Sequence, residues 1–286
     1  MLIQNLRMGI FFSYNGKFYN TGTPVITPDN RSLKFGDGLF ETIKMVNGTL
    51  ELKEYHFERL FNGMNLLAFD VPPHFTPLYL EQEITALAQK NNDQKNARIR
   101  LMLFRGDGPL NDPDNHLPNY IIQTWELPVT GLNTTGIIID IYPDAKKGGD
   151  ILANLKTNNF LPYALAAIYS KKNSLDDCIL LNTKGRICDT TVANIFMIKD
   201  RIIYTPSLKE SCIAGTIRRW MIENIKHEGK DIKEKSLTVE DLKQADEIFL
   251  TNAIYPMRWV KQFQNVQYTN KQIKILYATV IKNLNR

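Results

Sequence analysis

The sequence contains few cysteines, no long apolar run and no strong excess of either charge. Its 286 residues include three cysteines, and none of them forms a Cys-x-x-Cys pair. A set this sparse argues against a disulfide framework and against a cysteine zinc site. We therefore expect Cys178, Cys188 and Cys212 to be buried, reduced thiols, and we expect no metal site.

The other absences limit the class of protein. No window approaches the ~18 apolar residues of a membrane-spanning helix, and the first twenty residues show neither the apolar core nor the cleavage site of a signal peptide. The 35 basic and 30 acidic residues are interspersed, which is typical of a solvated surface and not of a nucleic-acid footprint. We expect a soluble, cytoplasmic protein with no membrane or nucleic-acid partner.

The hydrophobic pattern predicts a mixed α+β protein. Asn15-Gly16 and Asn47-Gly48 each separate two strand-like runs, which is a strong hairpin signal. Helical spacing of apolar residues predicts further helices; these cover about 54–69, 77–89, 161–171, 215–226 and 271–283. Strands are predicted from Ala97, Tyr120 and Gly136, with later ones at CILL, NIFMI, RIIYT and EIFLTN. The stretch KHEGKDIKEK from Lys226 is interpreted as a helix end followed by a loop.

The chain is long enough for two domains. Turn-forming residues without a clear period between Pro128 and Thr135 indicate the boundary. We predict an N-terminal α+β domain at 1–127, a linker at 128–135 and a C-terminal domain at 136–286. Strands come in hairpins with helices between groups, so a regular βαβ alternation is not expected.

Several residues are candidates for chemistry, and most have an ordinary structural alternative. Gly215 precedes a predicted helix, whose unpaired N–H groups and dipole could bind an anion. Lys156 is a surface lysine by spacing alone, but a desolvated lysine can form a Schiff base. Arg98 and Arg100 alternate along a predicted strand and therefore share one face. They are either surface arginines or a pair that binds a carboxylate. Asp189 is a turn cap or the partner of a pyridinium nitrogen.

Four motifs in order resemble the class IV aminotransferases, a family that includes branched-chain and D-amino-acid aminotransferases and aminodeoxychorismate lyases. The motifs are SLKFGDGLFETIKMVNGTL with HFERL, LKTNNF, GRICDTTVANIF, and IYTPSLKESCIAGTIRR. The resemblance extends from about Gly9 to about Val260. It implies the two-domain fold-type IV architecture, in which a smaller, sandwich-like N-terminal α/β domain precedes a larger pseudo-barrel domain that binds pyridoxal 5′-phosphate (PLP).

The resemblance also implies residue roles. Lys156 carries PLP as a Schiff base and moves the proton, Arg59 binds its phosphate, and Asp189 takes the place of the family's glutamate at the pyridine nitrogen. The remaining implied cofactor contacts are Asn194, Gly215, Thr216, Ile217, Thr251, Asn252 and Ala253. The implied substrate contacts are Phe35, Phe40 and Thr42, with Arg98 and Arg100 for a carboxylate. A homodimer and a small anionic amino substrate are implied as well.

Two positions depart from the family pattern. Asp189 is one methylene shorter than the usual glutamate, and Phe160 stands where many members have a tyrosine that touches the cofactor's 3′-oxygen. These departures leave three functions open. The TNAIYPM and LFRGDG segments favour a lyase that releases pyruvate from 4-amino-4-deoxychorismate to give 4-aminobenzoate. The alternatives are a branched-chain or D-amino-acid aminotransferase that uses 2-oxoglutarate, and a protein that binds PLP without turnover.

Overall fold

The computed structural model describes residues 6–112, 114–128, 131–227 and 229–284. Their contacts divide the chain into two units: Met1–Val129 with Lys156–Phe160, and Thr130–Leu155 with Leu161–Arg286. Residues 129 and 130, which fall in the predicted linker, lie outside the described residues. The fold is the mixed α and β arrangement expected from the sequence.

The first unit is built on an antiparallel sheet with the strand order β2-β1-β6-β5-β3-β4. Its strands are β1 Phe11–Tyr14, β2 Lys17–Asn20, β3 Gly38–Val46, β4 Thr49–Leu50, β5 Asn96–Phe104 and β6 Asn119–Glu126. Its helices are α1 Arg31–Phe35, α2 Lys53–Leu66 and α3 Pro77–Asn91. Helix α2 packs on β3, and α3 packs on β1 and β6.

Local chemistry determines where these elements turn and stop. Both predicted hairpins are confirmed: Asn15 and Gly16 have φ of 49° and 79°, and Asn47 and Gly48 have the same two values. Positive φ at both central residues matches the right-handed twist of the strands that a tight hairpin joins. Helix α3 begins with a Thr76 side-chain cap and Pro77 in its first turn, which are two strong start signals.

A short segment from the middle of the sequence, residues 156–160, also belongs to the first unit. The backbone N–H of Phe40 donates to the carbonyl of Lys156 at 2.9 Å, and that of Asn158 donates to the carbonyl of Gly38 at 2.9 Å. A β-bridge joins Leu39 and Thr157 between these bonds. The segment therefore extends the edge of β3, an arrangement that the predicted boundary at 128–135 does not anticipate.

The second unit has one large sheet, ordered β14-β11-β10-β15-β16-β7-β8-β9, with β17 paired to β16. Its strands are β7 Ile137–Lys147, β8 Asp177–Asn182, β9 Ile187–Thr190, β10 Asn194–Lys199, β11 Ile202–Pro206, β12 Lys226–His227, β13 Lys230–Asp231, β14 Lys233–Lys235, β15 Glu247–Thr251, β16 Arg258–Phe263 and β17 Val266–Gln267. Its helices are α4 Leu161–Lys172, α5 Thr216–Asn224, α6 Val239–Lys243 and α7 Lys271–Leu284. Strand β9 contacts β10 and β11, so the sheet curls toward the expected barrel-like form.

The interior of this curled sheet is apolar. Ile139, Ile179, Ile195, Ile248 and Val260 lie in one buried cluster, and each comes from a different strand. Strands β8, β10 and β15 are buried along almost their whole length, which explains why apolar residues fill their centres without alternation.

The prediction for the stretch from Lys226 is wrong. Helix α5 ends at Asn224, and the stretch forms β12, β13 and β14. Strand β14 pairs in parallel with β11, for example Tyr204 with Lys233. A charged run can form an edge strand when a distant strand supplies the hydrogen bonds.

The expectation for the cysteines is confirmed, because Cys178, Cys188 and Cys212 are all free and buried. Among the residues that the structure describes, no helix has the length and apolar character needed to cross a membrane.

Candidate functional site

Lys156 lies in the segment that pairs with β3, and its amine lies close to two aromatic rings. Its Nζ lies 4.4 Å from the centre of the Phe40 ring and 5.2 Å from that of the Phe160 ring, and the two rings meet edge to face at 5.3 Å. The Lys156 residue is half-buried. Aromatic faces hold an ammonium group in place through their quadrupoles, so the amine of Lys156 has a defined position.

A buried carboxylate, Glu41, organises the cations near this edge of the first unit. Glu41 is 1% exposed; Arg59 donates its Nε–H to Glu41 Oε1 at 2.7 Å, and His56 Nδ1 lies 2.7 Å from Oε2. Burial alone would raise the pKa of Glu41, but Arg59 and then His56 lower it to about 2. The carboxylate is therefore ionised, and it fixes the orientation of the Arg59 guanidinium.

The same cluster connects Arg59 with Lys156. Burial lowers the pKa of His56, Glu41 opposes this, and the positive charges of Arg59 and Lys156 lower it further. His56 is therefore neutral near pH 7, and the charge of Lys156 is close enough to act on it. The structure thus brings the predicted Schiff-base lysine and the predicted phosphate-binding arginine into one electrostatic neighbourhood.

Arg98 and Arg100 lie on β5 opposite β3, where Lys44 faces Arg98 and Thr42 faces Arg100. The guanidinium of Arg100 lies 4.2 Å from the centre of the Phe40 ring, and that of Arg98 lies 4.7 Å from the Trp125 ring. Burial, and then the charge of Arg98, lower the pKa of Arg100 to about 10. Two cations crowded at one sheet face favour the binding of an anion.

The predicted substrate residues of the first unit differ in exposure. Phe40 is 5% exposed and lies on the face of β3 that also carries Thr42 and Arg100 across the ladder. Phe35 instead ends helix α1 with 41% of its surface exposed. The structure therefore groups Phe40, Thr42 and Arg100, and it places Phe35 on a surface turn.

In the second unit, helix α5 begins without a side-chain cap at Gly215. A Cβ at Gly215 would overlap the Oδ1 atom of Asn194, so only glycine permits this approach. The amide of Asn194 donates to the carbonyl of Ile213 at 2.8 Å, which holds the turn in front of the helix. Thr216 and Ile217 form the first turn of α5, and both are buried.

Thr251 ends β15 directly opposite Asn194 in the strand ladder. Its Oγ1 atom is buried and has no hydrogen-bond partner in the described part of the chain, which is a costly state for a hydroxyl group unless a ligand satisfies it. Asn252 instead accepts the N–H groups of Ile254 and Tyr255 at 3.0 and 2.8 Å. Asn252 therefore closes the turn that contains Ala253 and leads on from Thr251.

Asp189 lies on β9, is 2% exposed, and accepts three hydrogen bonds at Oδ2. The donors are the N–H of Ile213 at 2.8 Å, the hydroxyl of Tyr163 at 3.0 Å and the ammonium of Lys147 at 3.1 Å. Lys147 also donates to the hydroxyl oxygen of Tyr163. Burial and then the charge of Asp189 raise the pKa of Tyr163 well above its ordinary value, so Tyr163 is a donor.

Each unit, taken by itself, has groups that suit a part of PLP. Cations and helix N–H groups both favour a phosphate. The first unit has Arg59 in the electrostatic neighbourhood of Lys156, and the second unit has the start of α5 and the Thr251 hydroxyl. A ring nitrogen requires a carboxylate with acceptor capacity. The contacts to Asp189 Oδ1 are longer than those to Oδ2, at 3.2 and 3.4 Å, so this oxygen has capacity left.

Sequence reasoning missed Glu41, His56, Lys147 and Tyr163. A signal existed for His56, because His56 and Arg59 are three residues apart and must share a helix face. Nothing local distinguishes Lys147 from its exposed neighbour Lys146, since the partner of Lys147 lies 42 residues away in the sequence.

Comparison with known proteins adds independent information. Residues 38–263 match the family model of the class IV amino-transferases. The chain is 29% identical over 263 residues to a Methanocaldococcus jannaschii protein to which branched-chain-amino-acid aminotransferase activity is ascribed, covering 91% of this chain and 90% of that one. It is 26% identical to the aminodeoxychorismate lyase of Bacillus subtilis, with 94% of both chains covered.

The fold has a close counterpart among solved structures. A branched-chain aminotransferase from Thermoproteus uzoniensis, determined with norvaline, superimposes with a TM-score of 0.86. The alignment covers 96% of this chain and 95% of that one, at 21% identity. This likeness bears out the expected fold.

Proposed function

The chain belongs to the class IV aminotransferases, a family of PLP-dependent enzymes, and on that premise we propose that it releases pyruvate from 4-amino-4-deoxychorismate to give 4-aminobenzoate. The observation that carries this proposal is the pair of guanidinium groups at Arg98 and Arg100. Burial and the neighbouring charge lower the pKa of Arg100 to about 10, so the pair favours an anionic substrate. Two arginines on one face suit a substrate with two carboxylates.

The chemistry divides between cofactor and protein. PLP, when bound, supplies an electron-withdrawing ring that stabilises negative charge on the substrate carbon. We assign to Lys156 Nζ the covalent hold on the cofactor's aldehyde and the movement of the substrate proton. Arg59, oriented by Glu41, would hold the phosphate from the first unit, and the start of α5 would do so from the second. Asp189 would accept the ring N–H. Arg98 and Arg100 bind and orient the substrate carboxylates.

The alternative is transamination with 2-oxoglutarate. It is favoured by the relatives ascribed branched-chain activity and by the fact that a dicarboxylate acceptor would also suit two arginines. We further propose a cytoplasmic homodimer, as the family resemblance implies.

Labelling of the lysine tests the cofactor assignment. The protein is incubated with PLP, reduced with borohydride and digested, and the peptide that gains the cofactor is identified by mass spectrometry. We expect the label on Lys156, and we expect Lys156→Ala to lose both the label and the yellow absorbance. The matched control is Lys146→Ala, because Lys146 is exposed and its loss leaves both signals intact. A label that persists in Lys156→Ala contradicts the assignment.

The products then separate the reactions. Wild-type protein is supplied with 4-amino-4-deoxychorismate, and separately with branched-chain or D-amino acids plus 2-oxoglutarate. 4-Aminobenzoate with an equal amount of pyruvate supports the lyase, whereas glutamate supports the aminotransferase. A yellow protein that forms neither product is one that binds PLP without turnover, and this outcome overturns both reactions.

A further inference from the structure

Lys147 is a buried lysine that is not among the proposed cofactor and substrate contacts. It ends β7 with only 9% of its surface exposed, whereas the adjacent Lys146 is exposed. A lysine is almost never buried to this degree without a partner. Its recorded partners are the side chains of Asp189 and Tyr163.

The contacts around Asp189 are uneven. Oδ2 accepts from Lys147 at 3.1 Å, Tyr163 at 3.0 Å and the N–H of Ile213 at 2.8 Å. Among the residues that the structure describes, Oδ1 has only the longer approaches of the same Lys147 and Tyr163. An ionised carboxylate accepts about four hydrogen bonds, so a further donor would be accepted at Oδ1. The charge of the Asp189 carboxylate that this further donor would contact is already compensated by the ammonium group of Lys147.

The other titratable groups near Asp189 do not change this balance. Burial raises the pKa of the Cys188 thiol, and it raises that of Cys212 to about 12, so both thiols are neutral at pH 7. The phenol of Tyr163 is also neutral. The carboxylate of Glu210 acts on Cys188 as well, but it is held by Arg186 at 2.9 Å.

We propose that Lys147 is a positioning residue that sets the proton affinity of the cofactor's ring nitrogen through Asp189. This rests on the proposed function, in which Asp189 receives that nitrogen. Because the ammonium of Lys147 offsets the charge of the carboxylate, Asp189 holds the ring proton less tightly than an unpaired carboxylate would. Removing the ammonium while keeping the side-chain volume therefore strengthens the hold on the proton.

Nitrogen NMR of the protein loaded with ¹⁵N-ring-labelled PLP measures this directly, without turnover. The ring-nitrogen signal is followed against pH in wild type, Lys147→Met, Lys147→Arg and the exposed control Lys146→Met. In Lys147→Met we expect the pH at which the ring proton is lost to rise by about 1–3 units, the range for one neighbouring charge. Lys147→Arg, which keeps the charge, and Lys146→Met should follow wild type.

Lys147→Gln provides a second route if Lys147→Met does not fold. Its neutral amide removes the charge but can still donate to Asp189, so a shift in the same direction is expected with a smaller size. A wild-type titration curve in PLP-loaded Lys147→Met, or in Lys147→Gln should the former not fold, overturns the inference while the cofactor assignment stands. A wild-type protein that takes up no PLP overturns both.

Discussion

Each unit of this chain contains a buried carboxylate that pairs with one cation and one neutral side chain, and the carboxylate has opposite roles in the two units. In the first unit Glu41 holds Arg59 and His56, and the residue proposed to touch the cofactor is the cation Arg59. In the second unit Lys147 and Tyr163 hold Asp189, and the proposed ligand is the carboxylate itself. In both cases a ligand group is oriented by a partner that the motif does not reveal.

The two clusters also differ in how far the cation is exposed. The Arg59 side chain keeps 13% of its surface exposed, whereas that of Lys147 keeps 9%. Breaking a buried ion pair from one side costs more when the remaining charge is less exposed. We therefore expect the second cluster to be the more sensitive to loss of its acid.

The largest expected effect comes from Asp189→Asn. The substitution keeps the shape but leaves the Lys147 ammonium buried without its counter-charge, which costs about 3–5 kcal/mol of unfolding free energy. Urea unfolding without added PLP, followed by tryptophan fluorescence, measures it. The double variant Lys147→Met/Asp189→Asn should recover part of the loss. A single variant within about 0.5 kcal/mol of wild type would show that Lys147 does not depend on Asp189.

A smaller effect is expected for Arg59→Ala, and here it falls on the cofactor. Loss of a charge-assisted partner should weaken PLP binding by roughly 2–4 kcal/mol, which is about 30- to 1,000-fold in Kd. Fluorescence titration of the apoprotein with PLP gives the change. Arg7→Ala is the control, because Arg7 is 55% exposed at the side chain and should titrate as wild type. An unchanged Kd for Arg59→Ala would remove Arg59 from the phosphate site.

The smallest expected effect is the loss of stability of the first unit on acidification from pH 7 to 4.5. The pKa of His56 lies below 6.5 in the folded protein, so on acidification through 6.5 the unfolded chain takes up the proton first and stability falls. Glu41, with its pKa lowered from 4.5 to about 2, adds a further loss below pH 4.5. Burial instead raises the pKa of Asp177 in the second unit, which gives the opposite sign.

Amide hydrogen exchange resolved by peptide separates the two responses. Between pH 7 and 4.5, after correction for the intrinsic exchange rate, protection of β3 and α2 should fall more than protection of β8. In His56→Gln this difference should shrink. Equal loss of protection in both units would contradict the contrast.

The sequence predicted those parts of the fold that depend on neighbouring residues. The two Asn-Gly hairpins and the helix that begins at Pro77 each carry their own turn or cap chemistry. Strand β14 was missed because its partner strand, β11, lies more than twenty residues earlier, and pairing across such a distance leaves no trace in local composition. Strands β12 and β13 pair locally with each other, but their charged residues lack the apolar alternation that indicates a strand.

The candidate site divides in the same way. The residues named from motifs, such as Lys156, Arg59 and Asp189, have chemistry of their own that a pattern can record. Glu41 and Lys147 could not be named, because each acts through contacts with residues that are distant in the sequence. Such supporting residues require coordinates to be recognised.

The pairing of residues 156–160 with the edge of β3 has a practical consequence for dissecting the chain. A fragment cut near residue 130 would keep Lys156 but lose Gly38 and Phe40, the backbone partners that fix its position. In that fragment the amine proposed to hold the cofactor would lie on a loop without these two hydrogen bonds. Truncation of this protein would therefore separate Lys156 from β3, the strand that fixes its backbone, however well the remaining sheet folds.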